Sequence, residues 1–451
     1  MMQQVMRRLV VLLMLTPGWL LAAVDQGSVA LLDQDLTPVG AERQGNGSDI
    51  PDWTGGLAEQ KGPWPGGFHP DPYKNDMPIA RIHAGNLEQY KDRLGAGQIA
   101  LLQRYPDLYL NIYPSHRSAS YPQRVYDALR TNASKAKLLP YGAGVDGALV
   151  SSPFPVPTSG LEVIWNHTLR YRGESVAFRS VTSLITENGD RMDTLRDYRY
   201  FFKYSQPDMT LQQLDNTVFY LIRETLAPAQ MAGTLTLVHE PLDQIRSPRK
   251  SWIYIAGQRR LRRTPDLAYD TPDVSTQSFR TVDQVDIYNG APDRFDWQLL
   301  GKQEMYIPYN AYAVHQGDVK LDDILHQHHL NPSLLRYEAH RVWVVEARLR
   351  EGVSHKFKRR RYYLDEDSWQ IVYAEEYDHQ DQLQQVLEAH LINYYDVPLM
   401  YPTLEVTYDL SSGRYYAEGL DNEQAAAPDF FNNDIRESDF IPSSVRRDAR
   451  R

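Results

Sequence analysis

The chain has 451 residues, 58 acidic against 48 basic side chains, a formal net charge of −10 and no cysteine. Without cysteine it has no disulfide, thiolate ligand or cysteine nucleophile, so core burial alone must hold the fold together. The acidic balance argues against nucleic acid as a partner, and no segment outside the N-terminus approaches a membrane-spanning run of eighteen apolar residues.

At the N-terminus Arg7 and Arg8 precede an apolar run, Leu9 to Leu15, and Leu21-Ala22-Ala23 supplies a small-residue exit. That is the pattern of a cleaved secretory signal peptide over 1–23, too short and too interrupted by Pro17 and Gly18 to span a membrane. No cysteine follows, which excludes a lipoprotein anchor. The expected mature chain is a soluble periplasmic protein, possessing a charge of −12 once the two arginines leave the −10 total. Residues 24–80 are rich in Gly, Pro and Asp and read as an extended arm anchored by Trp53, Trp64 and Phe68. Residues 81–157 read as helix-rich. Asn86 is expected to cap Leu87–Leu94, a second helix runs Ala96–Tyr105, a strand covers Leu108–Tyr113, and a third helix covers Pro122–Ala136. The run Pro153–Pro157 is a stiff connector.

From 158 to 400, beginning at Leu161, strands dominate. Tyr198, Tyr200, Phe202 and Tyr204 alternate with polar or aromatic neighbours so that one face is wholly aromatic, and Trp343, Val345, Ala347 and Leu349 repeat the pattern. Further strands are expected at Thr217–Leu226, Gly233–Glu240, Asp296–Ile307, His355–Leu364, Ile371–Tyr377 and Leu383–Tyr395, with short helices at Thr281–Tyr288 and Leu321–His328. Residues 401–451 add strands at Leu404–Asp409 and Arg414–Glu418 and a polar tail. Thirty tyrosines favour β structure. The fold class expected is α+β, mainly β: one large curled antiparallel sheet, an incomplete β-barrel, with helices packed on or plugging it.

The stretch Trp252–Pro265, WIYIAGQRRLRRTP, reads as a hairpin around a two-residue Gly257-Gln258 turn of type II′. In that register Tyr254 faces Leu261 and Trp252 faces Arg263 on one side, while Ile255 faces Arg260 and Ile253 faces Arg262 on the other. A dry core would not accept these guanidinium groups, whereas a surface ribbon or the rim of an amphiphile-sized cleft would. Three other clusters carry little chemistry. His326, His328 and His329 beside Asp322 and Asp323 read as a polar helix end, not a metal site. Ser115 and His116 are adjacent on a strand and point apart, and the chain has no G-x-S-x-G elbow. Asp365-Glu366-Asp367 reads as a solvated turn between strands. No phosphate-cradling glycine loop follows a strand and opens a helix, so nucleotide binding has no support; no cofactor and no metal is expected.

Several blocks carry a family resemblance: LTPVGAERQGN with IPDWTGG, NIYPSHRSASYP, PFPVPTSGLEVIWNHTLRYRG, WIYIAGQRRLRRTPDLAYDTP, DRFDWQLLGKQEMYIPYN, and LRYEAHRVWVVEARLREG with RRRYYLDEDSW. Through them the chain resembles domain-of-unknown-function family 1329, outer membrane lipoprotein-sorting protein-like, and its second half is similar in pattern to LolA/LolB-type lipoprotein carriers. The resemblance implies an exported Gram-negative protein working with an inner-membrane transporter of the RND type and an outer-membrane barrel protein. It supplies no catalytic residue. The function expected is a carrier or adaptor for a hydrophobic or amphiphilic, lipid-like molecule. Trp252, Tyr254, Tyr198, Tyr200 and Phe202 would form apolar wall, with Arg260, Arg262 and Arg263 at the cleft or its rim. The alternatives are an exported ester or lipid hydrolase using His116 or His167 as base, and a structural adaptor with no small-molecule ligand.

Overall fold

A computed structural model describes residues 29–32, 34–265, 270–430 and 434–448. The expected signal peptide lies outside the described residues. Among those described, no helix is long and apolar enough to cross a membrane.

Two short strands, β1 (Ala80–Ile82) and β2 (Leu110–Tyr113), start the architecture, and β3 (Lys137–Leu138) pairs with β4 (Val145–Asp146) as a separate ribbon. A meander follows: β5 (Ser175–Ile185), β6 (Arg191–Phe201), β7 (Thr217–Ala227), β8 (Leu235–Pro241), β9 (Lys250–Ile255) and β10 (Arg260–Arg263). A second meander runs through β11 (Phe295–Pro308), β12 (Tyr337–Leu349), β13 (Arg359–Asp365), β14 (Ile371–Tyr377), β15 (Leu383–Asn393), β16 (Met400–Asp409) and β17 (Tyr415–Leu420). The two join where β17 pairs antiparallel with β5, giving one fifteen-stranded sheet that stays open, with β10 at one edge. All pairings are antiparallel except β2 with β12. The mainly β, unclosed sheet with a few helices is the fold class expected from the pattern.

The helices cover the β11–β15 half. Ala96–Arg104 packs on β15, and Gly160–Thr168 packs on β11 and β12. The second contact needs a missing side chain: a Cβ at Gly160 would stand 2.9 Å from the Gln298 carbonyl carbon. The expectation of strand from Leu161 fails here. Ser159 caps a helix by accepting from the Glu162 N–H, and Val163, Ile164 and Trp165 fill the core. The Ser-x-x-Glu spacing was the local signal for that start. Three other expected helices shrink. Leu87–Leu94 becomes two 3-10 turns, because Asn86 accepts from His83 N–H and does not cap. Thr281–Tyr288 and Leu321–His328 reduce to the turns Val282–Gln284 and Leu321–Ile324.

The turn at Asp365-Glu366-Asp367 is not solvated. All three carboxylates are at most 2% exposed. Arg117 grips Asp367 through Nε (2.8 Å) and Nη2 (2.7 Å), and Lys302 reaches Glu366 at 2.8 Å. The N-terminal segment then lies over them: Trp369 donates to the Val39 carbonyl, Arg117 to that of Arg43 and Arg341 to that of Gln44. Opposite charges drawn from distant segments are what let the acidic turn leave water. His340 completes the group, 3.2 Å from Glu338 and 3.9 Å from Asp365.

Arg117→Met leaves Asp367 buried without its cation. It is expected to lower the unfolding free energy in urea titration by about 3–5 kcal/mol.

Candidate functional site

The face of the β5–β9 half left uncovered by those helices bounds a cavity of about 630 Å³ with β16, β17 and the connection 270–294. The register builds its wall in rows. Phe178, Tyr198, Arg223 and Thr236 are successive cross-strand neighbours, and Tyr200, Leu221, Val238 and Ser251 form the next row. The aromatic members stack: Phe178 on Tyr198 at 4.7 Å and Tyr200 on Phe202 at 5.5 Å, with rings nearly parallel. Phe219, Tyr394 and Tyr401 extend the wall.

Ionic groups complete the lining. Asp286 accepts from Arg170 (2.6 Å) and Arg172 (3.1 Å), and the Arg172 guanidinium lies 4.9 Å from the centre of the Phe202 ring. Burial alone would raise Asp286; the Arg170 and Arg172 charges hold it below the usual carboxylate range. Glu240 pairs with Arg249 at 2.5 Å. On β16 and β17, Glu405 and Glu418 stand directly opposite each other. Arg280 clasps Glu418 with both terminal guanidinium nitrogens. Glu405 is pushed well above the ordinary range by burial and then by the Glu418 charge. Burial does the same to Asp421.

The structure divides the residues singled out in the sequence. Tyr198 and Tyr200 line the cavity, and Phe202 lies buried behind them. The hairpin pairs as expected, with Ile255 opposite Arg260, Tyr254 opposite Leu261, Ile253 opposite Arg262 and Trp252 opposite Arg263. Its turn differs. Ala256–Gln258 form a 3-10 turn and Arg259 takes a left-handed conformation, φ 50°, so the loop has four residues. Gly257 has no positive φ, as type II′ would demand.

Arg262 continues the row Thr236–Ile253 at the sheet edge, and Arg260 shares that face; both are exposed. Trp252, Tyr254 and Arg263 lie on the opposite face. There Trp252 and Tyr254 pack with Tyr220, Ile222, Leu237, Phe440 and Val445 beneath the C-terminal helix Pro442–Asp448. One ligand in this cavity therefore cannot touch both halves of the hairpin set. Residues the sequence reading passed over include Phe178, Phe219, Arg172, Glu405, Glu418 and Asp421. The alternation Phe219, Leu221, Arg223 was a usable signal, but no local pattern announces that β17 returns beside β5.

The histidines have local partners. His116 Nε2 is 2.8 Å from Asp76 and its ring stacks on Tyr73, while the Ser115 hydroxyl is buried without a hydrogen bond. His167 Nε2 donates to the Asp286 carbonyl and Nδ1 accepts from Ile371 N–H. His328 stacks on Tyr105, His329 lies 3.4 Å from Asp107, and Asp322 pairs with Arg191, so that cluster does not converge. The tightest His and carboxylate group among the described residues is His340, Asp365 and Asp367. Arg117 already occupies both Asp367 oxygens, and Glu338 holds His340.

A model of the protein family of unknown function DUF1329 matches residues 81–446. An uncharacterized protein of Pseudomonas aeruginosa is 43% identical over 433 residues, covering 95% of each chain. Among crystal structures, a candidate outer membrane lipoprotein-sorting protein domain from Vibrio parahaemolyticus aligns at 12% identity and TM-score 0.41, over 61% of this chain and 93% of its own. A LolA superfamily protein from Nitrosomonas europaea aligns at 14% identity and TM-score 0.36, over 64% and 99%.

His167, hydrogen-bonded to the carbonyl of the lining residue Asp286, is acid-sensitive. Burial, then the Arg170 charge, lowers its pKa from 6.5 to about 3. The unfolded chain therefore binds the extra proton between those values, so this contribution is complete above pH 6.5 and lost as pH falls toward 3. In urea titrations, His167→Gln is expected to lose about 2 kcal/mol less stability than wild type between pH 6.5 and 5.

Proposed function

The chain belongs to the DUF1329 family, and from that premise we propose that it is a periplasmic carrier or adaptor holding a hydrophobic or amphiphilic, lipid-like molecule. The observation that carries this reading is the cavity: about 630 Å³, lined by both aromatic and ionic side chains, within an open sheet. That volume suits a ligand of a few tens of heavy atoms, and its mixed lining suits an amphiphile. The signal-like N-terminus supports export. The family resemblance supports an RND-type inner-membrane transporter and an outer-membrane barrel protein as donor and acceptor. Arg260 and Arg262, exposed on the cavity face at the sheet edge, supply cations where such a partner would meet the rim.

Protein purified from its native periplasm is expected to release an apolar ligand in native mass spectrometry. Val238→Trp, which puts an indole into the cavity, should weaken that release while the protein stays folded by circular dichroism. Ligand-free wild type would instead favour an adaptor that binds partner proteins alone.

Replacing Arg260 and Arg262 together by serine should weaken cargo or partner binding and leave the melting temperature unchanged, since neither side chain is buried. Unaltered binding in a pull-down and in ligand titration would remove the hairpin from this reading.

A further inference from the structure

The ionic lining of the cavity does not balance. Arg172 is taken by Asp286, Arg249 by Glu240 and Arg294 by Asp270. Arg223 faces Asp273, whose carboxyl it holds low against the effect of burial, and Arg280 beneath the wall is taken by Glu418. The acids are more numerous. Among the described residues no cation pairs with Glu405 or Asp421, although both line the cavity. Asp421 is 2% exposed, and its Oδ1 is buried without a hydrogen-bond partner. Glu405 has a second carboxylate, Glu418, directly across the strand pair. Like groups set opposite each other on a sheet repel unless a proton or a cation lies between them.

We infer that the cavity selects an amphiphile whose head bears a protonated amine, seated against Glu405 and Asp421, with its apolar body along Phe178, Tyr198 and Tyr200. This rests on the carrier reading above and adds the chemistry of the cargo. An ammonium group can donate a charge-assisted hydrogen bond to a carboxyl that lacks a cation, and the tyrosine and phenylalanine faces attract the same charge. An acidic head would meet Arg223 but otherwise only arginines already paired with carboxylates, and would bring a further negative charge beside Glu405, Glu418 and Asp421.

The test is titration calorimetry of the mature full-length protein, stripped of ligand, with decylammonium, decanol and decanoate below their aggregation limits. Decylammonium should bind at least about tenfold tighter than decanol, and decanoate more weakly still. Glu405→Gln with Asp421→Asn should erase the amine preference and keep decanol binding. Glu351→Gln, an exposed control, should leave the preference intact and so exclude general attraction to an acidic protein. Equal binding of the three probes, or a preference for decanoate, overturns the inference and leaves the carrier reading standing. Binding of none of them overturns both. If the double variant does not fold, the head-group order measured on wild type decides the matter alone.

Discussion

The pairing of β17 with β5 is the constraint on which the molecule depends. Without it the chain would make two separate meanders, each with a raw edge, and the cavity would lose one of its sides. Glu405 and Glu418 stand on one flank of this seam and Phe178 and Tyr198 on the other. Bringing strands so distant in sequence together costs loop-closure entropy, which grows only slowly with separation. The burial of Ser183, Ala417, Tyr415 and Ile185 at the join opposes that cost. The register shifts between Ala417 and Leu420, and Gly419 sits at the irregularity with φ 90°. A Cβ there would stand 2.6 Å from the Thr403 carbonyl oxygen. This bulge turns the chain so that Asp421 reaches the cavity lining.

Two buried acidic groups in the fold are treated in opposite ways. At Asp365–Asp367, arginine and lysine from three other segments match Glu366 and Asp367, and the match binds the N-terminal segment to the β12–β13 region. In the cavity Arg172 and Arg249 pair with Asp286 and Glu240, and burial holds the carboxyls of Glu405 and Asp421 above their ordinary range. At the turn the protein itself supplies the cations for Glu366 and Asp367; at Glu405 and Asp421 the inferred guest does.

Much of the scaffold was legible from period-two alternation. Ile371–Tyr377 has the bounds read from sequence, and the hairpin register followed from placing its turn near Gly257. The aromatic stripe of β6 was visible for the same reason, which is why Tyr198 and Tyr200 were found. What could not be read was long-range. The acidic turn looks solvated until Arg117 and Lys302 are brought to it, and the lone carboxyls of β16 and β17 acquire meaning only opposite β5 and β6. Trp252 and Tyr254 were grouped with Tyr198 by composition, yet strand parity carries them to the far face under Phe440. Sequence gives parity within one strand but not which face is left open.

The edge strand β10 has a further consequence for the protein's company. An unpaired edge presents free backbone groups, a template on which another copy can add its own strand. Here that edge carries Arg259, Arg260, Arg262 and Arg263 within five residues, all exposed. Two such edges approaching each other would bring eight positive charges together in antiparallel alignment. Self-stacking is thereby discouraged, and the sheet can stay open, with its cavity accessible, in a crowded compartment without growing into a fibre.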